Sequence, residues 1–187
     1  VNINTDCGST HIEGLQLYVR EHHLDVGFAF DGDADRCLAV DERGQVLNGD
    51  KIMYICAKHF KERGQLPSNT LVTTVMSNFG LYKALDKAGI RYEKTAVGDR
   101  YVYENMKEND FMIGGEQSGH TIFTALETTG DGEVTALQFL QVLARSGKRA
   151  SELASICAAY PQVLINVEVP HSGGVKEKIM ASAELAE

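Results

Sequence analysis

Val26-Gly27-Phe28-Ala29-Phe30-Asp31-Gly32-Asp33-Ala34-Asp35-Arg36 joins an apolar run to three carboxylates packed into five positions. Residues 26–30 have the composition of a buried strand, so the acidic residues sit at its carboxyl end. Held that close, Asp31, Asp33 and Asp35 repel one another strongly unless a cation lies among them. Oxygen-only donors suit a hard divalent ion, Mg²⁺ or Ca²⁺, better than zinc or copper. Arg36 either offsets part of the charge or holds a phosphate through its planar fork of donors.

Three other readings compete for this stretch. Asp/Gly runs also make solvated turns between strands. A calcium loop of the EF-hand type would use Asp31, Asp33 and Asp35 at its first, third and fifth positions and Glu42 at its twelfth. Arg36 stands where that loop needs glycine, however, and both flanks read as strands rather than helices. An aspartate nucleophile, Asp31 or Asp33, would instead attack phosphorus, but no convincing downstream lysine and paired acidic motif serve it.

The 187 residues, 43% hydrophobic and 24% charged, suffice for one or two globular domains with real cores. A net charge of -8 with scattered basic residues argues against a nucleic-acid or anionic-membrane surface. Cys7, Cys37, Cys56 and Cys157 lie far apart without a CxxC pair. They read as small apolar residues in a reduced, cytoplasmic setting rather than a zinc ribbon or disulfide framework. No signal peptide is recognisable, and no apolar run approaches the ~18 residues that span a bilayer. Because residue 1 is Val, inside what reads as a strand, a piece of a longer polypeptide is expected.

Periodicity predicts a strand over 1–6, a helix over 10–23 capped by Ser9 or Thr10, and the strand over 26–30, a β-α-β unit. A hairpin around Arg43-Gly44 follows, then a helix from Asn48 or Asp50 to about Arg63 that turns Ile52, Met53, Cys56 and Phe60 inward. Residues 64–69 combine chain breakers with few apolar side chains and mark the expected domain boundary. Beyond it the rhythm restarts: strands over 70–76, 91–95, 111–114, 120–123 and 163–169, with helices over 79–88, 100–108, 132–146 and 151–159. The tail from residue 170 reads as a linker and the start of a further element.

Gly114-Gly115-Glu116-Gln117-Ser118-Gly119-His120 mixes glycines, which admit a ligand close to the backbone, with an acceptor, a hydroxyl and a titratable ring, and suits a polyhydroxylated ligand such as a sugar. Val97-Gly98-Asp99-Arg100 opens a helix, where Asp99 is either a cap or, with Gly98 and Arg100, part of an anion site. Thr128-Thr129-Gly130-Asp131-Gly132 reads as a helix cap. His22, His23 and His59 lie on helix surfaces without the partners that a metal site requires.

In order and separation these motifs resemble those of the α-D-phosphohexomutase superfamily over essentially the whole chain. The resemblance implies an α/β fold: two consecutive α/β domains with mixed, mostly parallel sheets, the second and third of a four-domain enzyme. Residues 1–66 would be the metal-binding domain, 67–170 the sugar-recognition domain, and 171–187 a linker and the start of a C-terminal domain. The family interconverts 6-phospho and 1-phospho sugars through a phosphoserine and a bisphosphorylated intermediate. Gln117 and the runs 97–102 and 128–132 are similar to those of its glucosamine-phosphate branch, whose product feeds UDP-N-acetylglucosamine and cell-wall synthesis. A sibling acting on phosphoglucose or phosphomannose is the alternative.

Carried across residue by residue, the resemblance implies that Asp31, Asp33 and Asp35 bind Mg²⁺ and that Arg36 sits beside the transferring phosphoryl group. Glu116 and Ser118 would contact sugar hydroxyls, Gly98, Asp99 and Arg100 would touch substrate, and His120 would be a candidate base near the reacting centre. The implied partners are a phosphosugar, the N- and C-terminal domains of the same polypeptide and, for a homodimeric full-length enzyme, a second copy, with no nucleic acid and no membrane. These residues contain no phosphoserine loop and no C-terminal phosphate-binding loop, so the chain alone is expected to fold without turning over. Asp99 stands where phosphomannomutase relatives carry a histidine, which weakens transfer of that catalytic role.

Overall fold

The computed structural model describes residues 3–163, 168 and 174–182. An antiparallel sheet of β1 (Val26–Phe30), β2 (Cys37–Asp41) and β3 (Val46–Leu47) follows helix α1 (Glu13–Glu21). The helix is shorter than expected: Ile12 occupies its N-cap position without a side-chain cap, and neither Ser9 nor Thr10 caps it. Residues 3–6 are turn rather than strand, because Asn4 and Asp6 take left-handed φ values of 60° and 50° that an extended strand does not allow. Val1 and Asn2 lie outside the described residues. The expected parallel β-α-β pairing is therefore absent from this sheet among the described residues. The six residues between β1 and β2 are too few for a crossover and return the chain antiparallel.

The parallel pairing lies in the second sheet. Its order is β5-β4-β6-β7, from β4 (Thr70–Thr74), β5 (Arg91–Thr95), β6 (Ile113–Gly115) and β7 (Thr121–Phe123). β4 runs parallel to both neighbours, and β6 and β7 form an antiparallel hairpin. Every residue of β4 is buried, as befits a central strand covered on both faces. Alternation along the strands divides the core: Leu71, Ile113 and Phe123 face α2 (Gly49–Glu62), α3 (Phe79–Ala88) and α5 (Gly132–Ser146), whereas Val72 and Ile122 meet Val102 and Met106 of α4 (Asp99–Asn109).

The inward residues expected of α2, Ile52, Met53, Cys56 and Phe60, are buried, and Asn48 caps the helix by accepting from the Lys51 N–H. α2 shares one continuous core with both sheets, through Ala39 and Leu47 on one side and Leu71 and Ile113 on the other. Phe28 of β1 meets Phe139 of α5 edge to face at 5.9 Å. α6 (Ala150–Ala154) is shorter than expected, and α7 (Val175–Met180) lies in the tail. The strand expected over 163–169 falls, apart from Val163 and Glu168, outside the described residues. Among the described residues, no helix is long and apolar enough to cross a membrane.

Candidate metal and sugar site

The acidic loop between β1 and β2 folds back on itself. The Ala34 N–H donates to the Asp31 carbonyl at 3.2 Å, and Ala34 is held at a φ of 61°, a left-handed conformation that costs a non-glycine residue about 1 kcal/mol or more. The turn brings Asp31, Asp33 and Asp35 to where one oxygen of each lies within 4.8 Å of the others. Asp31 is braced by the Arg36 backbone N–H at 3.0 Å. The half-exposed Arg36 guanidinium stands 3.7 Å from Asp31 and 3.8 Å from Asp35. Asp35 Oδ1 is buried and accepts no hydrogen bond from any described residue. An orphaned carboxylate oxygen beside two further carboxylates fits a hard cation, since burial without a partner is otherwise costly. Cys37, the next residue, adds no thiolate: burial pushes its pKa up to about 12.

The glycine-rich loop spans the β6–β7 hairpin. Glu116 N–H donates to the His120 carbonyl at 2.9 Å and Gly119 N–H to the Glu116 carbonyl at 3.1 Å, closing a tight turn. Gly119, at a φ of 103°, lies against β2: a Cβ there would stand 2.6 Å from the Cys37 carbonyl. The Cys37 N–H donates to the Gly119 carbonyl at 3.1 Å, and Arg36 and His120 form an antiparallel bridge. The two sequence motifs are thus stitched together backbone to backbone.

Side chains complete the joint. His120, only 3% exposed, places Nδ1 3.0 Å from Asp35 Oδ2, and its Nε2 accepts the Gly130 N–H at 3.0 Å. An acceptor at Nε2 defines the neutral tautomer with the proton on Nδ1, so the ring donates to Asp35. The turn before α5 closes over both partners. Gly132 N–H donates to the Ala34 carbonyl at 2.8 Å, and a Cβ on Gly130 would stand 2.5 Å from His120 Nε2.

A cleft of about 570 Å³ opens beside this joint, lined by Arg36, Asn48, Thr74, Val97, Glu116 and Ser118 among others. Glu116 Oε1 accepts the Gly98 N–H at 3.0 Å, so the loop before α4 is brought to the cleft. Asp99 approaches His120 Nε2 at 3.9 Å; the N-cap position belongs to Gly98, and no side chain caps the helix. Arg100 stands apart from the expected site: its guanidinium pairs with Glu104 at 2.7 Å along the exposed face of α4. Asp131 caps α5 by accepting the Val134 N–H at 2.9 Å, as the sequence suggests. Gly130 as a donor to His120, and Asp50 beneath the glycine-rich loop, have no such role in the sequence reading. Gly130 acts on a residue ten positions away and Asp50 on one 67 positions away, spans which local patterning does not register.

Models of the phosphoglucomutase/phosphomannomutase alpha/beta/alpha domains II and III match residues 4–44 and 48–160 respectively. The phosphoglucosamine mutase of Lachnospira eligens is 63% identical over 168 residues, covering 90% of this chain and 37% of that protein. That of Geobacillus kaustophilus is 55% identical over 185 residues, covering 99% and 40%. The chain thus spans about two fifths of the length of these curated relatives. Among solved structures, a putative phosphomannomutase from Thermus thermophilus superposes with a TM-score of 0.73 at 23% identity, covering 83% of this chain and 36% of that one. Aspergillus fumigatus N-acetylphosphoglucosamine mutase in complex with GlcNAc-6P and magnesium superposes with a TM-score of 0.67 at 19% identity, covering 89% and 42%.

Proposed function

The chain belongs to the phosphoglucomutase/phosphomannomutase family, and on that premise we propose that it forms the metal-binding and sugar-reading centre of a phosphoglucosamine mutase, which interconverts glucosamine 6-phosphate and glucosamine 1-phosphate. The observation that carries this reading is the hydrogen bond from His120 to Asp35, which makes the acidic loop and the glycine-rich loop parts of one site. The aminated substrate rests on the relatives named for that activity.

Asp31, Asp33 and Asp35 supply the donors for Mg²⁺, and the ion bound there would neutralise charge on a transferring phosphoryl group. Arg36, beside the carboxylates and facing the cleft, offers planar donors to phosphate oxygens. Glu116 spends one oxygen on Gly98 and keeps the other for a sugar hydroxyl, with Ser118 exposed beside it. In place of the base expected at His120 we read a positioning residue. Its Nε2 lone pair is taken by Gly130, and its proton is directed at a metal-binding carboxylate. On this reading the phosphoserine would come from the part of the relatives' length that this chain does not span. We divide the chain between β3 and α2, where the two matching ranges part, rather than at residues 64–69, because the buried face of α2 packs with α3 and α5.

Calorimetric titration of Mg²⁺ and Ca²⁺ into the chain and into Asp33→Asn, with and without glucosamine 6-phosphate, tests the site. Mg²⁺ binding by the parent and its loss in the variant is the expected result. Turnover of aminated against non-aminated hexose phosphates by the full-length enzyme tests the sugar, and equal turnover would assign it to a sibling mutase.

A further inference from the structure

Asp50, the second residue of α2, is 1% exposed and has no role in the reaction described above. Its Oδ1 accepts from the Ser77 hydroxyl at 2.7 Å; its Oδ2 accepts from the Asn78 N–H at 2.8 Å and from Gln117 Nε2 at 3.2 Å. Burial pushes this carboxyl above its ordinary value, and the three donors pull it back. Gln117 is held a second time, by the Gly49 N–H, which donates to its backbone carbonyl at 3.0 Å. The contact is close enough that a Cβ on Gly49 would stand 2.0 Å from the Glu116 carbonyl oxygen. Both ends of one loop residue are therefore tied to the first turn of α2, and Gln117 lines the cleft together with the two residues that flank it, Glu116 and Ser118.

We propose that Asp50 is a positioning residue for the sugar-reading loop, acting through Gln117 to hold Glu116 and Ser118 toward the cleft. The inference rests on reading that loop as the sugar's. A side-chain tether within the five-residue turn between β6 and β7 sets the direction of the residues on either side, and a hydrogen bond to a buried carboxylate is among the stronger ones available for that task.

The test uses the full-length mutase that carries these residues, with Asp50→Asn, Gln117→Leu and the double variant. Each single change is expected to raise KM for the phosphosugar about ten-fold, the worth of one hydrogen bond to a charged group. Mg²⁺ affinity is expected to stay within about two-fold, and the double variant to be no worse than either single one. Multiplying effects, or a loss of Mg²⁺ affinity equal to the loss of sugar affinity, would overturn the proposal. Should Asp50→Asn fail to fold, Gln117→Leu is judged by its KM together with its amide exchange, because Gln117 itself lines the cleft, and a parental KM in that variant overturns the proposal. Amide exchange in the 187-residue chain gives a readout independent of any substrate: the Gly119 N–H is expected to exchange about ten-fold faster in either variant. Unchanged exchange sinks the tether, whereas faster exchange in an enzyme that processes no hexose phosphate sinks the functional reading and leaves the tether standing.

Discussion

His120 Nδ1 and Asp35 Oδ2 lie 3.0 Å apart, although 85 positions separate the two residues in the chain. The pair spans the acidic loop of the first sheet and the hairpin of the second, and the other ring nitrogen is held by Gly130. Three separate segments therefore set the direction of one carboxylate, whose second oxygen is left without a hydrogen bond from the described residues.

Removing the imidazole should weaken metal binding without touching a metal-binding side chain. His120→Ala leaves the Gly130 N–H and Asp35 Oδ2 without their partner and is expected to cost about 1–3 kcal/mol of stability. Mg²⁺ affinity should fall about ten-fold or more, as for other groups that orient metal-binding carboxylates. Calorimetry beside urea unfolding reads both, and undiminished Mg²⁺ affinity would remove the positioning role.

Gly130→Ala should reproduce that phenotype from the other side. The added Cβ would stand 2.5 Å from His120 Nε2, closer than real Cβ contacts come, so the ring or the turn must move. A fall in Mg²⁺ affinity of about five-fold or more is expected, in line with other changes to the groups that orient a metal's ligands. Parental affinity would mean that the turn gives way and the ring does not.

The two sheets should unfold as one unit, because Phe139 is fully buried and its ring meets Phe28 across the shared core. Phe139→Ala is expected to destabilise by about 3–5 kcal/mol. Urea unfolding followed by circular dichroism and by tyrosine fluorescence should shift together. Separate transitions would show the sheets to be independent.

Glu42 predicts a specific acid lability. Desolvation raises its carboxyl, but the hydrogen bonds from Ser151, together with Arg43, outweigh it and leave the pKa below the ordinary 4.5. A carboxyl depressed in the folded state adds stability that is present above its unfolded pKa and is lost as pH falls through the folded one. Stability should therefore drop below about pH 4.5 more steeply in the parent than in Glu42→Gln. Ser151→Ala, which removes a hydroxyl bonded to Glu42, should cost about 1 kcal/mol at neutral pH and flatten the same acid limb. Parallel acid limbs in parent and variants would exclude this clamp.

The local chemistry of the site is legible in the sequence. Three aspartates at alternate positions after an apolar run point to a cation, and the glycines of the 114–119 run point to close backbone approach. The element types over 70–146 are also readable, since short runs bounded by chain breakers mark the strands and period-3.6 burial marks the helices. The antiparallel return from β1 to β2 follows from the short connection alone. Arg100 is ambiguous at that level: its charge suits an anion at a helix N-terminus or a glutamate one turn on, and in the structure it pairs with Glu104.

Which residue types could hold a hard cation and read a polyol, and which face of α2 would be buried, depends on neighbours within a few positions, so the amino-acid order alone carries that information. The aim of the His120 proton at Asp35, the hold of Asp50 on Gln117 and the need for Gly130 to lack a side chain arise only in the folded chain. Those are contacts between segments far apart in the chain. Their partners are chosen when helices and sheets pack against one another, a choice that local propensity does not encode.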